Sequence, residues 1–244
     1  SATWKFIDRF IYSYYNMIIG ISDAVTTNIS KYIGKNNKCI TIENGVNVNK
    51  YYKSSSLDRK SIGYTEHDFL LVMVASFREA KDQDTLIKSL LNLPNNVKAI
   101  LVGDGPRRSE CELLCANLKL NNRVTFLGIR NDIPAIFKMA DVAVVSSHWE
   151  GFGLAAVEGM AAGRPLVASN VSGLADVVGD SDLLFEQGNA QELADKIRSL
   201  IINKDYYAKV ARMCYNRSLD FDISIMVDKT INLYKKLYIK ERIH

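Results

Sequence analysis

The segment DVAVVSSHWEGFGLAAVEGMAAGRPLVAS, residues 141–169, decides the fold. It opens on a short β-branched run, turns through Glu150-Gly151-Phe152-Gly153, enters an apolar helical stretch at Leu154 and then starts a second apolar run, RPLVAS. Strand, glycine-bearing turn, helix and strand in succession form a βαβ unit with parallel strands. The two glycines let the backbone come close to a ligand, and the free N–H groups and dipole of the helix start form an anion site. Glu150 stands at the mouth of that site, and Glu158, eight residues later, lies about two turns into the helix. A carboxylate beside a phosphate-binding helix start is costly unless it meets neutral hydroxyl groups, so sugar and ribose hydroxyls are its natural partners. That pattern points to a nucleotide-sugar. The competing reading is a capping Glu150 and a solvated Glu158.

The same alternation extends on both sides. Short β-branched runs occur at FLLVMVAS (69–76), VKAILVG (97–103), RVTFLG (123–128), DVAVVSS (141–147), RPLVAS (164–169) and, more weakly, DLLF (182–185). Between them DTLIKSLLNL (84–93), RSECELLCANLKL (108–120), IPAIFKMA (133–140), LAAVEGMAAG (154–163) and AQELADKIRSLIIN (190–203) carry apolar residues at three and four spacing. This predicts an α/β fold: an open, doubly wound parallel sheet with helices on both faces and ligands beyond the carboxyl ends of its strands.

The first residues read differently. An aromatic-rich helix over about 4–19, a short strand around DAVTT, a helix NISKYIGK and CITIENGV ending in an Asn-Gly turn look like the tail of another α/β domain, residues 1–50. Residues 51–67 are polar and Ser-rich and read as a linker. The Rossmann-like unit then spans 68–223, and 224–244 is a long terminal helix with a Lys-rich face.

Composition agrees. At 244 residues the chain holds about 1.6 typical domains, one full α/β domain plus a fragment. With 48% hydrophobic and 24% charged residues and only 4 Pro it is globular, not disordered, collagen-like or coiled coil. A net charge of +4, with cations interleaved among acids, lacks the dense cationic stripe of a nucleic-acid binder. The 4 Cys lack disulfide or zinc spacing and read as reduced core thiols, which suggests the cytoplasm; the 3 His are scattered, so no metal is expected. FIYSYYNMIIGI (10–21) is too interrupted for a membrane span and lacks a signal-peptide cleavage site. Ser rather than Met at position 1 suggests a processed or cut chain.

The segment EGFGLAAVEGMAAGRPLVAS, with Glu, seven residues and Glu, resembles the signature of the retaining glycosyltransferase family 4 type, whose fold is the two-domain GT-B. VGDGPRRSECELLCANLKLNNRVTFLGIRNDIPAIFKMADVAVVSS resembles the segment leading into it and SGLADVV the one after; ENGVNVNKY is similar to the family's interdomain Asn-Gly-Val stretch and DKTINLYKKLY to its closing helix. The likeness covers roughly residues 20–240. It implies that Glu150 contacts the transferred sugar, that Glu158 binds the ribose, and that backbone amides of Gly151, Phe152, Gly153 and Leu154 hold the diphosphate and sugar. The family's diphosphate-neutralising Lys falls on Lys81. Its Arg position, five residues earlier, is Ser76, which leaves Arg78 as the substitute. Ile129 and Arg130 occupy the base-binding position. GDGP (103–106) is not a dinucleotide fingerprint, because Arg108 stands where the third glycine belongs; Gly103 reads as a strand-end turn near the nucleotide.

The resemblance implies transfer with retention from a nucleotide-diphosphate sugar, UDP-sugar favoured, without metal or other cofactor, to a glycan or lipid-linked acceptor. The Lys-, Asn-, Ile- and Tyr-rich composition hints at bacterial surface-polysaccharide synthesis, lipopolysaccharide O-antigen included, with peripheral contact at the inner face of the membrane. Only the last fifty residues or so of an acceptor half are seen, so this chain alone is expected to bind donor and transfer poorly. A GT-B nucleotide-sugar epimerase and a non-catalytic nucleotide-sugar-binding module are the alternatives.

Overall fold

The computed structural model describes residues 7, 8, 10–12, 14–34 and 38–242. Its centre is a six-stranded parallel sheet of β3 (Phe69–Val74), β4 (Val97–Val102), β5 (Val124–Gly128), β6 (Val142–Val145), β7 (Leu166–Ser169) and β8 (Leu184–Phe185), in the order β5-β4-β3-β6-β7-β8. All six predicted strands are present. β3, β4, β6 and β7 are almost wholly buried, as continuous apolar runs covered on both faces must be. The order reverses between β3 and β6, which pair as Leu71 with Val142 and Val72 with Ala143, and this reversal places a crevice at the strands' carboxyl ends.

The helices that wrap the sheet carry their own start signals. Asp82 accepts from the Thr85 amide at the start of α3 (Gln83–Ser89), and Pro134 opens α5 (Ile133–Met139). α4 (Arg108–Asn117), α6 (Leu154–Ala161), α7 (Leu174–Val178) and α8 (Ala190–Ile202) complete the layers. Helix α9 (Lys204–Leu219), packed on α6 and α8, is absent from the sequence reading. Its buried residues are Val210, Cys214 and Ser218, a stripe one residue wide at four spacing in an otherwise polar stretch.

The N-terminal segment departs most from expectation. Residues Ile18–Gly20 are a strand, β1, rather than the end of a helix, and pair in parallel with β2 (Cys39–Thr41). DAVTT lies in helix α1 (Asp23–Ile33), not a strand. Its β-branched residues suggest extension, but the Ser22 hydroxyl accepts from the Val25 amide and Gly34 closes the far end at φ 70°, so the caps override propensity. Part of the predicted 4–19 helix lies outside the described residues. Asn44-Gly45 forms no turn: it leads into Val46, which makes a parallel bridge with Asp222 just before α10 (Ile223–Arg242). The Ser-rich stretch expected to be a linker is tied down. α2 (Val48–Tyr52) and a 3₁₀ turn at Arg59–Ile62 flank it, Tyr51 and Tyr64 are buried, and Arg59 donates to Asp141 at 2.9 Å.

Candidate functional site

Two loops leave the carboxyl ends of β3 and β6 and lean on each other over the crevice. The His148 amide donates to the Ala80 carbonyl at 2.8 Å, and the Ser146 hydroxyl donates to the Asp82 carbonyl at 2.7 Å. Asp82 itself is in the left-handed region at φ 48°, held there by the bonds its carboxylate accepts from the Thr85 amide and hydroxyl. Burial raises the Asp82 carboxyl above its ordinary value, against the lowering effect of Thr85 and His148.

These ties bring Lys81 and Glu150 together. The Lys81 ammonium donates to Glu150 Oε1, and the Ser147 hydroxyl donates to the same oxygen at 2.9 Å. Ser147 is in turn located by Ser169, whose hydroxyl donates to its carbonyl at 2.5 Å. The pair borders a cavity of about 260 Å³ whose wall continues along Gly151, Phe152, Gly153, Leu154 and Ala155, with Ile21 and Asn44 of the N-terminal segment opposite. The start of α6 opens here. Gly153 precedes it at φ 98°, and the first amides of a helix have no intrahelical acceptor. The arrangement can therefore receive negative charge at the amides and the ammonium while presenting a carboxylate to hydroxyl groups.

The other expected site residues are distributed unevenly. Phe152 borders the cavity, and its buried ring meets that of Phe221 edge to face, the centroids 5.4 Å apart. Glu158 is one turn beyond Leu154 on α6, outside the cavity wall, and accepts a hydrogen bond from the Tyr51 hydroxyl at 2.7 Å. Burial raises the Glu158 carboxyl, opposed by the Tyr51 bond and by Lys50; the Tyr51 hydroxyl is raised as well, by its own burial first and then by Glu158. Gly103 follows β4 with its amide on the Gly128 carbonyl at 2.8 Å; it is not part of the cavity wall but lies behind it, since a Cβ there would come 2.1 Å from the carbonyl oxygen of Ala75, which lines the cavity. Ile129 is 78% exposed and Arg130 is paired with Asp132 at 2.6 Å, both at the end of β5, two strands from the crevice. Arg78 is exposed and lines no part of the cavity, and its guanidinium has no polar partner among the described residues.

Four contributors lie outside the sequence reading. Ser147, Asn44 and Tyr51 are ordinary polar residues in unpatterned positions, and only their partners reveal them. Gly173 had a signal of its own, a glycine just before an apolar helical stretch. Its φ is 83°, and a Cβ there would lie 2.6 Å from the Glu150 carbonyl oxygen, so the Glu150 loop rests on a position without a side chain.

Among the described residues no group of three or more His, Cys, Asp or Glu is placed to hold a metal ion, and no helix is long and apolar enough to cross a membrane. Cys111, Cys115 and Cys214 are buried in the core, where burial pushes the Cys111 thiol up to about 12.

The family model for glycosyl transferases group 1 matches residues 54–217. The chain is similar to N-acetyl-alpha-D-glucosaminyl L-malate synthase of Bacillus anthracis, 24% identical over 228 residues, covering 91% of this chain and 59% of that protein. It is 28% identical over 211 residues to UDP-Gal:alpha-D-GlcNAc-diphosphoundecaprenol alpha-1,3-galactosyltransferase of Escherichia coli, covering 81% and 54%. Among solved structures it resembles Anabaena Alr3699/HepE in complex with UDP and glucose, with a TM-score of 0.90 and 29% identity, covering 97% of this chain and 68% of that one. The chain spans about half the length of the curated relatives it matches.

Proposed function

The chain belongs to the group 1 glycosyl transferases, and we propose that it binds a nucleotide-diphosphate sugar, UDP-sugar favoured, and serves transfer of that sugar, with retention, to a glycan or lipid-linked acceptor. One observation carries the reading: Lys81 and Glu150 converge on the cavity at the start of α6, at the point where the strand order reverses. The diphosphate lies against the helix start and Lys81; the sugar hydroxyls face Glu150. As the anomeric C–O bond breaks, its electron pair passes to the diphosphate oxygen, where fixed amides and the ammonium stabilise it. The acceptor oxygen forms the new bond on the face the nucleotide leaves, and its proton passes to the departing phosphate oxygen. Lys81 and the amides supply the stabilisation that a metal ion supplies elsewhere, so no metal is assigned. The UDP preference and the lipid-linked acceptor are supported by the UDP and diphosphoundecaprenol in the names of similar proteins. Surface-polysaccharide synthesis at the inner face of the membrane is the setting proposed.

Isothermal titration calorimetry with UDP, UDP-sugars and GDP-mannose tests the donor. Binding of a uridine nucleotide supports the proposal, and no nucleotide binding at millimolar ligand overturns it. Product analysis with donor alone separates transfer from epimerisation.

A further inference from the structure

Tyr51 lies on α2, in the stretch that the sequence presents as a linker, 107 residues from the carboxylate it touches. It is 8% exposed, its ring packs 6.3 Å from that of Phe137, and α2 as a whole packs on α5 and α6. The ring is thus held by the core, and the hydroxyl is delivered to Glu158 Oε1 at 2.7 Å. Residues four apart share a helix face, so Glu158 stands one turn above Leu154, which lines the donor cavity. Glu158 Oε2 has no hydrogen-bond partner among the described residues.

From this geometry we infer that Tyr51 is a positioning residue for the nucleotide's ribose: its hydroxyl anchors one oxygen of Glu158 so that the other is turned toward the ribose hydroxyls. The inference rests on the reading of Glu158 as the ribose carboxylate. A half-buried carboxylate on a helix has several rotamers, and a single fixed donor selects among them. The donor also favours the ionised form that accepts hydrogen bonds, against the burial that disfavours it. A phenylalanine would fill the same space and do neither. Affinity for a vicinal diol is therefore linked to the segment that joins β2 to the six-stranded sheet.

The test compares UDP with 2′,3′-dideoxy-UDP by calorimetry on the wild-type chain, Tyr51→Phe, Glu158→Gln and the double variant. The expected result is that Tyr51→Phe weakens UDP binding about three- to tenfold, the range of one hydrogen bond, and leaves dideoxy-UDP unchanged. In the Glu158→Gln background Tyr51→Phe should have no further effect. Equal weakening of both ligands assigns Tyr51 to packing alone and overturns the inference, as does unchanged UDP binding. If Glu158→Gln abolishes the preference for UDP and Tyr51→Phe does not, only the Tyr51 inference falls. If the wild-type chain binds UDP and dideoxy-UDP equally, the ribose reading of Glu158 falls and the inference with it. Absence of UDP binding overturns the proposed function as well.

Discussion

The two loops over the crevice reach one cavity by opposite means. Residues 75–82, after β3, contain no glycine; they deliver a side chain, Lys81, and place the one non-glycine left-handed residue of the crevice, Asp82, behind it. Residues 146–153, after β6, deliver backbone amides and a carboxylate, and they need Gly153 within the loop and Gly173 beneath it to do so. A cation on a long flexible stem tolerates a loop crowded with side chains, whereas a backbone makes its closest approaches where Cβ atoms are missing.

The largest expected effect breaks the amide side of this comparison. Gly173→Ala puts a Cβ against the Glu150 carbonyl in a left-handed conformation, at a cost of about 2–4 kcal/mol and a fall in Tm of roughly 5–10 °C by differential scanning calorimetry. An unchanged Tm would show that the loop does not depend on that close approach.

The cation side is tested by ligand rather than by stability. Lys81→Ala should weaken UDP binding roughly ten- to a hundredfold, the range of a charged hydrogen bond, and leave uridine binding unchanged in the same calorimeter. Equal losses for both ligands would remove Lys81 from the diphosphate. Because Glu150 already accepts from Lys81, it competes with the phosphate for the ammonium. Glu150→Gln should therefore tighten UDP binding, by up to about fivefold for a partly exposed pair, while sugar transfer falls. UDP binding weakened by this substitution would mean that Glu150 aids the diphosphate instead.

The smallest effect concerns the second carboxylate. Folding raises the Glu158 carboxyl through burial, so its ionised form destabilises the folded chain. That cost is absent below the unfolded value, grows as pH rises through the raised folded value and is complete above it. Glu158→Gln should raise Tm by about 1–3 °C at pH 7–8 and leave it unchanged near pH 4. A rise of equal size at both pH values would assign the gain to packing rather than ionisation.

Legibility in the sequence followed the range of the interactions. Each of the six strands and the Glu150 to Leu154 turn is encoded in a contiguous run, by β-branched residues, glycine placement and helical spacing. Helix α1 is hidden from a local reading because its capping residues, Ser22 and Gly34, lie outside the β-branched DAVTT, which favours extension. Helix α9 left too narrow an apolar stripe to register, since most of its surface faces water.

By itself the sequence determined the parallel α/β class, the strand order along the chain, the glycine-bearing turn into the helix at Leu154 and the family resemblance. These follow from local steric preferences and from apolar periodicity, which act over a few residues. Only the tertiary structure decided that Lys81 meets Glu150 across 69 positions, that Tyr51 holds Glu158 across 107, and that Gly173 lies under the Glu150 loop. It also set Arg78, Ile129 and Arg130 apart from the cavity wall. Such contacts depend on which strands the sheet makes neighbours, and partners matched by shape and polarity across the fold leave no local pattern in the chain.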